Sequence, residues 1–151
     1  MEFTSVEQEL AYWKTLALTD ETTKLLNRRA YNMDAASTPE YGIVYIDLND
    51  LKVTNDSLGH DEGDRLLRKL SDCIREESDM AYRVGGDEFI LILKNASLDV
   101  LPKIVSRMKE KLSQRNCRAS FGFSHTSESI NCCQLAEKRM YADKALYKAS
   151  R

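Results

Sequence analysis

The chain has 151 residues, 42% of them hydrophobic, which is enough for one domain with its own core and too few for two. Its 22 Lys plus Arg against 24 Asp plus Glu leave a formal net charge of −2, which argues against a general nucleic-acid binder. Two prolines and six glycines exclude a collagen-like or low-complexity chain, and no apolar run approaches the roughly 20 residues of a membrane span.

The opening Met1-Glu2-Phe3-Thr4-Ser5 lacks the basic start and apolar stretch of a secretory signal, so a cytoplasmic protein is expected. The cysteines (Cys73, Cys117, Cys132, Cys133) form no Cys-x-x-Cys pair and lie far in sequence from His60 and His125. They read as reduced, structural thiols rather than a zinc site.

In chain order, Val6, Leu10, Trp13 and Ala17 recur at spacings of four, three and four within residues 6–18. That is the seam pattern of a coiled coil over less than two heptads. Either an amphipathic helix lies on the domain, or it meets a partner helix from a second subunit. Residues 24–36 read as a second short helix. Residues 41–46 (Tyr-Gly-Ile-Val-Tyr-Ile) form an apolar, β-branched run, a buried strand that stops abruptly at Asp47. After a polar stretch, residues 61–77 carry Leu66, Leu67, Leu70 and Ile74 at helical spacing, with Asp61 a candidate N-cap. Residues 80–84 read as a short strand, Gly85-Gly86 as a tight turn and 89–93 as another buried strand. Leu101, Ile104, Val105, Met108 and Leu112 mark a helix, 118–124 a strand, and Leu135, Ala136, Met140 and Leu146 a closing helix.

This βαββαβ order predicts an α+β, ferredoxin-like sandwich: an antiparallel sheet with helices on one face, plus extra N- and C-terminal helices. In that topology the first and third strands are antiparallel neighbours, which brings Asp47 to the Gly85-Gly86-Asp87-Glu88 turn. Three carboxylates gathered there need a counter-charge, and hard divalent cations supply it. Two such ions can activate an attacking hydroxyl and steady a leaving oxygen in phosphoryl chemistry. No Walker-type phosphate loop is present.

Between the first strand and its helix, Asn55, His60 and Asp64 flank Gly59 and Gly63. An amide and a carboxylate together suit the edge of a guanine. Asp64 could equally serve the positive end of its own helix. Lys52 is either a solvated loop lysine or a cation that offsets phosphate charge.

Taken together, these segments resemble the GGDEF family, the diguanylate cyclases. The resemblance rests on Arg83-Val84-Gly85-Gly86-Asp87-Glu88-Phe89, on Asp20 through Tyr31 around Leu25-Leu26-Asn27-Arg28-Arg29, and on Asp47-Leu48-Asn49-Asp50-Leu51-Lys52. It continues through Asn55-Asp56-Ser57-Leu58-Gly59-His60 with Gly63-Asp64, Ser120-Phe121-Gly122 and Ala142-Asp143-Lys144-Ala145-Leu146-Tyr147. It covers residues 20–150 in order.

The resemblance implies a nucleotidyl-cyclase palm-like fold and condensation of two GTP into cyclic di-GMP plus two pyrophosphates across a homodimer. Asp47, Asp87, Glu88 and the Leu48 carbonyl would hold two Mg²⁺ ions, with Mn²⁺ a possible substitute. Asp87, Glu88 and Lys52 would be catalytic. Asn55, His60, Asp64, Leu25, Gly85 and Gly86 would line the substrate site, with Leu25 and Asn27 on the first short helix walling the pocket. Residues 1–18 would be a linker or signalling helix answering to an upstream sensor, and 19–151 the catalytic domain. A catalytically weak or inactive GTP-binding module is the alternative.

The sequence departs from the family pattern at named places. Where many members carry Arg-x-x-Asp as a product-inhibition site, Glu76-Glu77-Ser78-Asp79 stands here, with Arg75 one place early. Weak feedback inhibition is therefore expected. Ser150 stands where a phosphate-gripping lysine is usual, Asp50 where an aromatic is common, and Thr22 and Lys24 replace a usual leucine and glycine.

Overall fold

A computed structural model describes residues 2–150. The strands β2 (Gly42–Leu48) and β4 (Glu88–Leu93) are apolar without alternation, and all but Glu88 are buried. Strands of that composition need cover on both faces. Successive side chains point to opposite sides of the sheet, and the core divides accordingly. Val44, Ile46, Leu48, Phe89, Leu91 and Leu93 join one cluster, while Ile43, Tyr45, Ile90 and Ile92 join the other.

The first face is covered by α4 (His60–Arg75) and α5 (Leu101–Gln114), through Leu67, Leu70, Ile74, Leu101, Ile104 and Met108. The second is covered by α2 (Arg28–Ser37) and α6 (Cys132–Ser150), through Ala30, Tyr31, Ala136 and Met140. Helices thus lie on both faces rather than one, because the extra helices close the side that a bare ferredoxin-like sandwich leaves open. At Gly122 in β5 (Ala119–His125), an added Cβ would stand 2.1 Å from the Ala136 carbonyl oxygen and 2.2 Å from the Met140 nitrogen. Only glycine lets α6 come this close to the sheet.

The strand order is β1-β3-β4-β2-β5, with β1 Leu26–Asn27 and β3 Ala81–Arg83. The expected antiparallel pairing of β2 with β4 is present, with Asp47 opposite Glu88. The sheet is mixed, however, since β1 runs parallel to β3.

Three local expectations are corrected. Residues 24–27 are not helical: Lys24 lies in the left-handed region at φ 63°, which ends any helix there, and α2 begins only at Arg28. Asn27 caps α2, its Oδ1 accepting from the Ala30 amide at 3.1 Å. The polar stretch after Asp47 holds a further helix, α3 (Leu51–Leu58), separated by Gly59 alone from α4, so Asp61 lies inside the first turn of α4 and is not its cap. Finally, α1 (Val6–Leu18) has no buried residue, and Val6, Leu10, Trp13 and Leu16 are all more than half exposed; its stripe does not pack on the domain, which α1 meets at its end through Leu18 and the Ala17 carbonyl. No helix among the described residues is long and apolar enough to cross a membrane.

Candidate active site

The site grows out of the end of the sheet. Tyr45 and Asp47 share a face of β2, and the pairing of Asp47 with Glu88 puts both acids at the edge covered by α6. The Leu48 amide donates to the Asp87 carbonyl at 2.8 Å, which fastens the hairpin turn to the end of β2. The hairpin closes on itself through the Val84 and Gly85 amides, which donate to the Glu88 carbonyl at 2.9 and 3.3 Å. Arg83 then clamps the tip: its Nε and Nη2 donate to the Gly86 carbonyl at 3.1 and 2.7 Å.

Asp47, Asp87 and Glu88 each offer a carboxylate oxygen, and these atoms lie within 4.8 Å of one another. Burial pushes the Asp47 carboxyl above its ordinary range, the neighbouring charges of Asp87 and Glu88 add to that push, and a bond from Lys144 opposes it. Hard oxygen donors at this separation suit divalent cations of the Mg²⁺ or Mn²⁺ type, with phosphate oxygens and water filling the remaining positions. The Leu48 side chain is core, so only its backbone can reach this site.

Three polar contacts around the acids were not foreseen from the sequence. Lys144 of α6 donates to Asp47 Oδ1 at 2.7 Å. The Tyr45 hydroxyl, on a buried residue, donates to Glu88 Oε2. The Tyr147 hydroxyl donates to Asp50 Oδ2, so Asp50 is tied to α6 and makes no side-chain cap on α3. A signal for Lys144 existed: Cys132, Ala136 and Met140 are the buried positions of α6, and Lys144 continues that four-residue spacing. A lysine in line with an apolar stripe either reaches water along its stem or meets an acid, and here it meets Asp47.

The residues assigned to a guanine edge sit on α3 and α4. Gly63 is where these helices touch: a Cβ there would stand 1.7 Å from Asn55 Oδ1. The half-buried Asn55 amide is thereby held beside the first turn of α4, next to half-buried Asp64. His60 and Lys52 are exposed, as are Gly85 and Gly86 at the hairpin tip. Leu25 is packed into the α4/α5 cluster and is not on a helix, and Asn27 is spent on its cap. A cleft of 440 Å³ between α5, the start of β5 and the end of α6 includes none of these residues and none of the three acids.

The stretch matched to the product-inhibition motif is occupied by ion pairs. Glu76 meets Lys111 at 2.6 Å, Glu77 meets Arg107 at 2.6 Å, and Arg75 donates to the Thr23 carbonyl at 2.8 Å.

A family model described as diguanylate cyclase, GGDEF domain, matches residues 17–151. The chain belongs to the GGDEF family. Among its relatives, diguanylate cyclase DgcS of Shewanella oneidensis is 34% identical over 149 residues, covering 88% of this chain and 49% of DgcS. Cyclic di-GMP phosphodiesterase PdeR of Escherichia coli is 32% identical over 153 residues, covering 87% of this chain and 23% of PdeR. The chain therefore spans less than half of either relative. The coiled coil and GGDEF domain of DgcB from Caulobacter crescentus, solved with c-di-GMP, superposes with a TM-score of 0.83 at 23% identity, over 93% of this chain and 87% of that one. That likeness shows the palm-like GGDEF fold.

Proposed function

We propose that this GGDEF domain is a diguanylate cyclase that condenses two GTP into cyclic di-GMP. The observation that carries this reading is the meeting of Asp47, Asp87 and Glu88 within 4.8 Å at the junction of β2 and the Gly85-Gly86 hairpin. Asp47, Asp87 and Glu88, with the backbone of Leu48, would hold the divalent cations. Bound there, such ions would polarise the α-phosphate and ease ionisation of the attacking hydroxyl. Asp87, at the turn, would take the 3′-hydroxyl proton. Lys52, exposed on the first turn of α3, is free to meet charge that develops on the phosphates. Asn55 and Asp64 serve guanine, the amide its acceptors and the carboxylate its N–H donors. His60, Gly85 and Gly86, all exposed, complete the nucleotide site, and Leu25, a core residue, supports it from beneath.

The 3′-oxygen of each nucleotide attacks the α-phosphorus of the other, and the bond from that phosphorus to the pyrophosphate oxygen breaks. One domain holds one GTP, so turnover needs two copies face to face. The exposed stripe of Val6, Leu10 and Trp13 on α1 supports reading residues 1–18 as a linker helix that pairs with a second copy and relays an upstream sensor. Sedimentation with and without residues 1–18 tests this, and a monomer in both cases ends it.

Ser150 favours a second reading, a GTP-binding module with weak or no turnover, because its hydroxyl turns back to the Tyr147 carbonyl and offers no cation. Incubation at high protein concentration with GTP and Mg²⁺, resolved by chromatography beside Asp87→Ala, separates the two. Cyclic di-GMP from the parent chain alone supports the cyclase. Metal-dependent GTP binding without product supports the module.

A further inference from the structure

We infer that Lys144 is a built-in counter-ion of the metal site. Its ammonium stands in for a divalent cation at Asp47, and it passes to the phosphate oxygens when metal and nucleotide load. The inference rests on the metal-site reading above and adds a residue to it.

Geometry supports the first half. Lys144 Nζ lies 2.7 Å from Asp47 Oδ1, with side chains 22% and 5% exposed, so the pair is largely withdrawn from water. Three carboxylates within 4.8 Å carry three negative charges, and one ammonium offsets only one of them. The cluster therefore still attracts a dication. That dication cannot share Asp47 Oδ1 with an ammonium at hydrogen-bonding distance, because the two cations would repel each other across a few ångströms of poorly solvated space. Metal that takes this oxygen must displace the lysine.

The helix is built so that only the side chain needs to move. One residue before Lys144, Asp143 accepts from the Phe121 amide at 2.8 Å and pins α6 to β5. Three residues after it, Tyr147 is bound to Asp50. With the backbone fixed on both sides, the four-carbon stem of Lys144 can swing while the helix stays in place. The displaced ammonium then needs an anion within its reach, and a triphosphate held over the same acids is one. Lys148 is exposed, and Lys144 is the cation of the last three turns of α6 that contacts the acids among the described residues.

The test is Mn²⁺ binding, followed by electron paramagnetic resonance, on the full chain without nucleotide, in the parent protein, Lys144→Met and Lys144→Arg. Lys144→Met should bind Mn²⁺ roughly tenfold tighter or more, the worth of a charge-assisted bond that no longer competes. Lys144→Arg should remain near the parent, and melting curves should show all three folded. With a non-cyclising GTP analogue present, the advantage of Lys144→Met should vanish or reverse. Equal or weaker Mn²⁺ binding by Lys144→Met without nucleotide overturns the counter-ion. An advantage that persists undiminished with the analogue overturns the transfer to phosphate. If the parent and both variants take up no Mn²⁺ with or without the analogue, the metal-site reading fails and this inference fails with it.

Discussion

Arg83 and Asp20 are joined across 63 residues of sequence, with Arg83 Nη1 lying 3.3 and 3.2 Å from the two Asp20 oxygens. The same guanidinium holds the Gly86 carbonyl through Nε and Nη2, so one planar group ties the segment after α1 to the tip of the acidic hairpin. Asp20 is itself set by the amide and hydroxyl of Thr23, at 2.9 and 2.7 Å. Any rotation of α1 is therefore one short segment away from the site.

Arg83→Met keeps the stem of the side chain and removes the fork. The expected cost is about 2 kcal/mol, or roughly 4–8 °C in melting temperature for a domain of this size, because Asp20 and the Gly86 carbonyl lose their donor in a half-buried place. Mn²⁺ affinity should fall as well, since the turn that carries Asp87 loosens. A melting temperature and a metal affinity both equal to the parent would refute the clamp.

The β2–β4 pairing, the acidic hairpin and the core positions of α4 and α5 were legible because they rest on uninterrupted apolar runs and a tight turn. What was not legible has physical causes. Lys24 occupies a left-handed position that a lysine does not announce, standing where the family usually has glycine, so 24–27 read as helix. α3 is short and largely polar, and its registration against α4 comes from the contact at Gly63 rather than from its own hydrophobic pattern. Tyr45 and Lys144 are single polar atoms at the ends of apolar stripes, and their meaning depends on what the fold sets opposite them. The exposure of α1 is likewise decided by its neighbours, as the same heptad fragment would suit burial or pairing.

Gly63→Ala tests the guanine edge without touching a proposed contact atom. The new methyl would start 1.7 Å from Asn55 Oδ1, and the amide must turn away because its end is the flexible partner. GTP affinity is expected to drop about tenfold, the worth of a hydrogen bond or two, while melting changes little. Affinity that stays at the parent level, measured by calorimetry, would remove Asn55 from the nucleotide site.

Alkali should unfold this domain from the tyrosines inward. Burial raises the phenols of Tyr31, Tyr45 and Tyr82, with hydrogen bonding to Cys133, Glu88 and Asp34 respectively adding to it, and burial with the Cys132 thiol nearby pushes Tyr41 up to about 12. A phenol held above its unfolded value of about 10 keeps its proton more tightly in the folded state. Its contribution to stability is thus complete below pH 10 and is lost as pH climbs toward the folded value. The urea midpoint is expected to hold to about pH 10 and then decline. In the still-folded protein these four tyrosines should give no phenolate absorbance at 295 nm. Phenolate from all seven tyrosines before any loss of circular dichroism would contradict the buried assignments.

Tyr45→Phe isolates a positioning contact. The hydroxyl of this buried residue donates to Glu88 Oε2 and removes one choice of orientation from that carboxylate, and the Glu137 carboxylate of α6 also acts on the same hydroxyl. Phenylalanine fills the same space, so the loss in stability should be near 1 kcal/mol, the net worth of one hydrogen bond. Glu88, freed from Tyr45, should hold metal less well, by roughly 10- to 100-fold, as happens when the group that orients a metal ligand is removed. The size of the two effects separates roles: a purely structural hydroxyl would lower the melting temperature and leave Mn²⁺ affinity alone. Metal affinity that is unchanged in Tyr45→Phe, with Glu88→Gln weakened in the same assay, would mean that Glu88 is oriented without Tyr45.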